Sequence, residues 1–275
     1  MIAITPKEVA LFADFIHRQT GIVLDSSKGY LLESRLGPLL ADSQMQSFSE
    51  FFAAGHLRPE WVGQVVDAIS THETSFFRDH RPFELLQNTI LPSLFSHRPG
   101  NEPPAKRTIL SAACSTGQEV YSLAMTIAEL LGNDLERWPI TITGLDVSEL
   151  AINKARQGRY SKHEVERGLP PTLRQRYFTP QGDGWQIRHD LQAMTTFSKN
   201  NLLTSPTPEE GYDLILCCNV AIYFNQENRC RLFAKIAAAL RQGGMLIIGA
   251  TESLLGISDL FTRHESCHTV FFEKK

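Results

Sequence analysis

Apolar residues recur at helical spacing through roughly the first seventy positions and give way to short, nearly continuous runs after Thr108. Thr5-Pro6-Lys7-Glu8 reads as a capping box with proline at the first helical position. Val9, Leu11, Phe12, Phe15 and Ile16 then supply one apolar face, and Gly21 stops the helix. A second helix is predicted over residues 27–36, with Tyr30, Leu31 and Leu32 apolar; Gly37-Pro38 is expected to kink or end it. Ser47-Phe48-Ser49-Glu50 opens a short third helix through Ala54. Residues 59–70 make a fourth, with Trp61, Val62, Val65, Val66 and Ile69 inward. These elements predict a small helical domain.

From Thr108 the pattern is that of a doubly wound α/β sheet. Thr108-Ile109-Leu110 feeds the small residues Ser111-Ala112-Ala113-Cys114-Ser115-Thr116-Gly117, and a helix follows through residue 131. Residues 140–146 alternate as a second strand, Ser148 caps the next helix, and residues 170–178 form another. Gln181-Gly182-Asp183-Gly184 is turn chemistry, after which Trp185, Ile187 and His189 alternate with polar residues as in a hairpin. Residues 195–199 return to the sheet, and 212–218 are apolar enough for a buried central strand. Residues 228–240 are amphipathic and end at Gly243-Gly244; strands at 245–249 and, antiparallel, at 269–273 complete the pattern.

Ligands of such a sheet sit at the carboxyl ends of its strands, here residues 113–119. A dinucleotide turn needs several glycines and a nucleoside triphosphate loop needs a lysine. This turn has one glycine, no lysine, and an acid at Glu119. It suits a cationic ligand, and S-adenosylmethionine (SAM), with its sulfonium and ammonium, fits. Asp146 ends the second strand about thirty residues later, where a carboxylate can hold ribose hydroxyls. The other role for Asp146 is a helix cap, for which Ser148 is better placed.

Composition narrows the classes. The chain has 275 residues, 42% hydrophobic and 21% charged, with net charge -3. The acidic balance and lack of a basic, aromatic-rich patch argue against nucleic acid. Neither a leader pattern nor a membrane-length apolar run is present. Five cysteines without Cys-x-x-Cys spacing indicate neither disulfides nor a zinc ribbon, and His264, Cys267 and His268 lack a suitably spaced further ligand. The expectation is a reduced, cytoplasmic protein without a metal, monomeric by default.

Residues 111–119, with Thr74-Ser75-Phe76-Phe77-Arg78, Asp146, Asn201-Leu202-Leu203 and Cys217-Cys218-Asn219-Val220-Ala221-Ile222-Tyr223-Phe224, resemble the chemotaxis receptor methyltransferases of the CheR family, in the family's motif order. The resemblance implies a Rossmann-like SAM-dependent methyltransferase sheet, residues 73–275, behind an N-terminal all-helical domain, residues 1–72, with a β-subdomain inserted at residues 179–196. It implies a cofactor site of His72, Thr74, Arg78, Ala113, Glu119, Asp146, Asn201, Leu202, Cys218 and Asn219. Asn201 and Leu202 would contact adenine, with Asn200 a rival in register and a plain asparagine turn the alternative. Tyr223 would lie beside the transferred methyl or be a core tyrosine, and Arg78 would border the acceptor's entry or be an exposed linker arginine. Phe76 and Phe77 are expected to wedge into the two bodies. Cys218 stands where the family usually has arginine, and Gln118 where glutamate is frequent.

The implied reaction is methyl transfer from SAM to receptor glutamates, giving methyl esters and S-adenosylhomocysteine, with Arg78 and Tyr223 as the catalytic pair. The implied partners are the cytoplasmic domains of methyl-accepting chemotaxis receptors, which give the protein its peripheral contact with the membrane. The turn at 181–184 is shorter than in members that grip a receptor pentapeptide, so a pentapeptide-independent enzyme is expected. Arg35 is either part of a receptor-docking helix or a solvated charge. Alternative readings are a SAM-binding regulatory or scaffold protein with little transfer, and a methyltransferase with another carboxylate acceptor.

Overall fold

The computed structural model describes residues 2–96, 104–207 and 211–275. Helices α1 (Pro6–Thr20), α2 (Gly29–Asp42), α3 (Phe48–Gly55) and α4 (Pro59–Ile69) form the amino-terminal body. The capping box at Thr5 forms in both directions, and the second oxygen of Glu8 accepts the Ser49 N–H at 2.7 Å, tying α1 to the start of α3. Phe12 is fully buried among Phe48, Phe51, Phe52 and Trp61, with ring centroids 5.4–6.5 Å away.

Helix α2 does not end at Gly37-Pro38; it runs through Pro38 to Asp42. Leu32, Leu36 and Leu40 make one buried stripe at four-residue spacing. Burial of Leu40 and partial burial of Leu39 return about 3–5 kcal/mol, against the ~3 kcal/mol cost of an interior proline. Arg35 is not simply a solvated charge. Its Nη1 donates to the carbonyls of Ala68 (3.2 Å), Ile69 (3.2 Å) and Ser70 (2.8 Å), closing the carboxyl end of α4.

A linker leads to α5 (Arg81–Leu85) and α6 (Leu91–Phe95), joined by one wide π turn. Then come β1 (Arg107–Ala112), α7 (Gln118–Leu131), β2 (Ile140–Asp146), α8 (Glu149–Gln157), β3 (Arg159–Ser161), α9 (Lys162–Glu166), α10 (Pro171–Tyr177), β4 (Phe178–Gln181), β5 (Gly184–Ile187) and α11 (His189–Ala193). The chain ends with β6 (Thr195–Lys199), β7 (Tyr212–Cys217), α12 (Gln226–Ala239), β8 (Leu240–Ile248), β9 (Phe261–Ser266) and β10 (Thr269–Lys274). The seven-stranded sheet has the order β6-β2-β1-β7-β8-β10-β9, with β10 antiparallel to both β8 and β9 and the other pairs parallel. Since β1 leads to β2 on one side and lies against β7 on the other, a crevice opens at the carboxyl ends of β1 and β7. Helix α7 covers one face of the sheet and α12 the other.

Four expectations are corrected here. Gly243-Gly244 does not separate helix from strand but lies inside β8. Tyr212 pairs with Leu240 and Leu214 with Met245, so β8 bulges between these pairs, with Gly243 at φ +69. The small sheet has the order β3-β5-β4 and draws on residues 159–161 and 178–187, whereas Thr195 and Thr196 pair with Ile142 and Thr143 in the main sheet. His189 opens α11 instead of extending the hairpin, which ends at Ile187; the short helix then buries Leu191 in the core. Phe76 and Phe77 do not wedge into two bodies; both join the methyltransferase core. Phe76 packs on Tyr160 (5.0 Å) and Phe178 (5.5 Å), and Phe77, turned by its φ of +49, packs on Phe83 (5.1 Å).

Candidate active site

The turn after β1 is bent by two non-glycine residues in the left-handed region, Ala113 (φ +67) and Ser115 (φ +51), with Gly117 at φ +94. Such backbone persists where the surroundings over-determine it. The Cys114 N–H donates to the Leu145 carbonyl at 2.9 Å, and the Ser115 N–H to Asp146 Oδ2 at 2.8 Å. Gly117 cannot carry a side chain, since a Cβ would lie 2.9 Å from Ala155 Cβ and 3.0 Å from Tyr160 Oη. The loop is therefore pulled onto β2 and α8.

Asp146 is buried at the end of β2, and its other oxygen accepts the Ser148 N–H at 3.0 Å. Burial raises its pKa, while the N–H groups of Ser148 and Ser115 and the nearby His72 favour the charged form. Ser148, not Asp146, caps α8: its hydroxyl accepts the Ala151 N–H at 3.1 Å and donates to Asp67 of α4 at 2.6 Å.

Glu119 stands in the first turn of α7 and accepts the Ser111 hydroxyl at 2.7 Å. Desolvation pushes its carboxyl up to about 7; hydrogen bonds from Ser111 and the Cys218 thiol and the charge of Arg78 pull it down, and Glu252 pushes it up. The Cys218 thiol is itself pushed well above its usual range by burial and by Glu119. It stays protonated and serves as a donor.

Arg78 is half-buried beside the pocket, its Nη1 donating to the Glu73 carbonyl. After β7, Asn219 takes φ +58 and the chain makes a single turn over Ala221–Tyr223. The Tyr223 carbonyl accepts the Val23 N–H at 3.0 Å, so the amino-terminal body is hydrogen-bonded to this loop.

One pocket is lined by His72, Thr74, Arg78, Ala113, Glu119, Asp146, Asn201, Leu202, Cys218, Asn219 and Tyr223, and by Asn200. The Asn201 side chain is also engaged within the protein. Its Nδ2 donates to the Gln19 carbonyl at 2.7 Å, and its Oδ1 accepts the N–H groups of Leu203 (2.9 Å) and Thr204 (3.2 Å). That amide already holds a turn and a domain seam, whereas the neighbouring Asn200 lines the pocket with no side-chain hydrogen bond among the described residues.

Sequence reasoning missed several lining residues. Ile22, Leu24 and Leu31 of the amino-terminal body roof the pocket, and only tertiary packing brings them there. Ser115 was in view within the turn, but nothing local shows where its hydroxyl points. Ser115 Oγ and His72 Nε2 are buried pocket-lining atoms without a hydrogen-bond partner among the described residues. Buried polar atoms ordinarily find partners, so two acids, two open polar groups and an apolar roof fit an amphipathic, cationic nucleoside such as SAM.

Comparison with known proteins agrees. The family model for the CheR methyltransferase SAM binding domain matches residues 72–270, and that for the CheR methyltransferase all-alpha domain matches residues 7–69. The chain belongs to the CheR methyltransferase family. It is 37% identical over 265 residues to a chemotaxis protein methyltransferase of Vibrio parahaemolyticus, covering 94% of each chain. It is 35% identical over 273 residues to chemotaxis protein methyltransferase 1 of Pseudomonas aeruginosa, covering 96% of this chain and 97% of that one. Among solved structures, a TehB-like SAM-dependent methyltransferase from Corynebacterium glutamicum aligns with TM-score 0.39 and 16% identity, over 62% of this chain and 82% of that one. As a CheR family member the chain is a SAM-dependent methyltransferase. Among the described residues no cluster of His, Cys, Asp and Glu is placed to hold a metal ion, and no helix is long and apolar enough to cross a membrane. All five cysteines are free.

Proposed function

We propose that this enzyme methylates glutamate side chains on the cytoplasmic domains of chemotaxis receptors, forming methyl esters that serve sensory adaptation. The observation that carries the reading is that Arg78 and Tyr223, from separate elements, border one pocket with Glu119 and Asp146. Bound SAM supplies an activated methyl group. Asp146 is suited to ribose hydroxyls, and Glu119 to the cofactor's positive charge. Arg78 offers a forked donor set that can orient an incoming carboxylate, and the Tyr223 phenol can hold its second oxygen. A glutamate of pKa near ~4.3 is already ionised at neutral pH, so no general base is needed. Alignment alone can lower the barrier by up to about 7–11 kcal/mol, and Ile22, Leu24 and Leu31 keep water from the site.

The protein acts in the cytoplasm as a monomer and reaches receptors without a pentapeptide tether. Strand β4 is an edge of the small sheet and is joined to β5 by the two-residue turn Gly182-Asp183. Such a turn closes on a hydrogen-bonded pair, so Gln181 and Thr179 face β5 while Pro180 faces the free edge. An added strand would need an N–H that Pro180 lacks.

The test is transfer of labelled methyl from SAM to receptor-containing membranes, in parallel with receptors lacking their carboxyl-terminal peptide. Base-labile label on both samples supports the reading; label on the intact receptor alone overturns tether independence. Cys218, in place of arginine beside Glu119, favours a second reading, a SAM binder with little transfer. Label that appears only with Cys218→Arg would establish that reading instead.

A further inference from the structure

The segment after β8, Gly249-Ala250-Thr251-Glu252, folds back toward the mouth of the site. One carboxylate oxygen of Glu252, Oε2, accepts the N–H of Gly249 at 2.7 Å and that of Asn219 at 3.0 Å. The Glu252 N–H donates in return to the Gly249 carbonyl at 2.9 Å. Glu252 does not line the cofactor pocket; it lines the neighbouring cleft with Arg81, Leu254 and Phe261. Its hydrogen-bonded contact with the site runs through Asn219, while its charge also raises the Glu119 carboxyl.

Asn219 holds φ +58, a conformation that an L-residue keeps when something fixes it. From there the chain passes Val220 into the turn carrying Tyr223, whose N–H donates to the Val220 carbonyl at 3.2 Å. Gly249 leaves room for this arrangement: a Cβ there would lie 2.7 Å from Glu252 Oε2 and 2.9 Å from both Asn219 nitrogens. One oxygen thus joins the ends of β7 and β8 at the base of the catalytic loop.

We infer that Glu252 is a positioning residue for methyl transfer, its carboxylate oxygen fixing the left-handed turn at Asn219 and thereby the place of Tyr223 at the pocket mouth. This rests on the proposed reading that Tyr223 borders the methyl acceptor. The role requires an acceptor atom and not a negative charge. Glutamine, which keeps a carbonyl oxygen at that reach, should stand in for glutamate.

The full-length enzyme would be assayed with labelled SAM and receptor membranes as wild type, Glu252→Ala, Glu252→Gln, Gly249→Ala and Tyr223→Ala, with SAM affinity by calorimetry and thermal unfolding for each. A misplacement of about 1 Å can cost roughly a hundredfold in rate, so Glu252→Ala and Gly249→Ala should lower kcat about ten- to a hundredfold. SAM affinity should move by no more than a few-fold, and alike in Glu252→Ala and Glu252→Gln, because both remove the charge that raises Glu119, and each variant should melt cooperatively. Glu252→Gln should return kcat to within about threefold of wild type. Unchanged kcat in Glu252→Ala, a loss confined to SAM affinity, or a glutamine variant as slow as alanine would overturn the inference. Unchanged kcat in Tyr223→Ala would instead overturn the placement of Tyr223 and the inference with it.

Discussion

The backbone N–H of Ser115 donates to Asp146 Oδ2 at 2.8 Å, so the glycine-poor turn after β1 and the end of β2 share one carboxylate. In the proposed reading the same acid holds the cofactor's ribose. In Asp146→Ala the loss of charge-assisted bonds, worth about 1.5–3 kcal/mol, should weaken SAM binding roughly ten- to a hundredfold. Asp146→Asn, which retains one acceptor oxygen, should fall between. Calorimetry decides: unchanged affinity in the alanine variant removes Asp146 from the site.

Glu119 should make SAM binding depend on pH. Its carboxyl is pushed to about 7 from an ordinary 4.5, chiefly by desolvation. A folded-state pKa above the unfolded one means that the native chain holds an extra proton between those values, so this group's contribution to stability falls as pH rises through that window. A cationic ligand favours the ionised form, so affinity should rise roughly tenfold from pH 6 to pH 8, with release of a proton. Calorimetry in two buffers of different ionisation enthalpy measures that proton. Glu119→Gln should bind weakly with a flat profile.

Cys218→Arg tests the same electrostatics from the other side. A guanidinium in place of a thiol donor would stabilise the Glu119 carboxylate. The midpoint of the pH dependence should then drop below about pH 6. A midpoint still near 7 would show that position 218 does not reach Glu119.

Arg35→Met should destabilise the protein without removing a pocket-lining side chain. The substitution strips the Ala68, Ile69 and Ser70 carbonyls of a shared donor. The expected cost is about 1–3 kcal/mol, read as a drop in the thermal midpoint. SAM affinity below that midpoint should be unchanged. An unchanged midpoint together with impaired receptor methylation would return Arg35 to a docking role.

The sequence was most legible where structure is local. The capping box at Thr5, the strand-turn-helix around Gly117 and the acid at Asp146 each occupy a few adjacent residues, and each forms as its residue types require. Pro38 and Gly243-Gly244 misled because local preference lost to tertiary terms, the stripe ending at Leu40 and the bulge in β8. Strand β3 was invisible for a related reason: its three residues acquire strand character from pairing with β5. The gathering of the proposed site residues around one pocket followed from motif order, but the engagement of the Asn201 amide with Gln19 depends on a partner 182 positions away.

The seam where Val23 meets Tyr223 and Gln19 meets Asn201 has a consequence for protein engineering. The connector between α1 and α2 belongs to the module through which the resemblance has receptors recognised, yet it is also bonded to walls of the cofactor pocket. A chimera that borrows this module from a relative to redirect receptor choice would import a foreign roof over the nucleoside. Such grafts should first show up as altered cofactor affinity, and repairing them would mean transplanting the loops at 200–203 and 219–224 along with the helices.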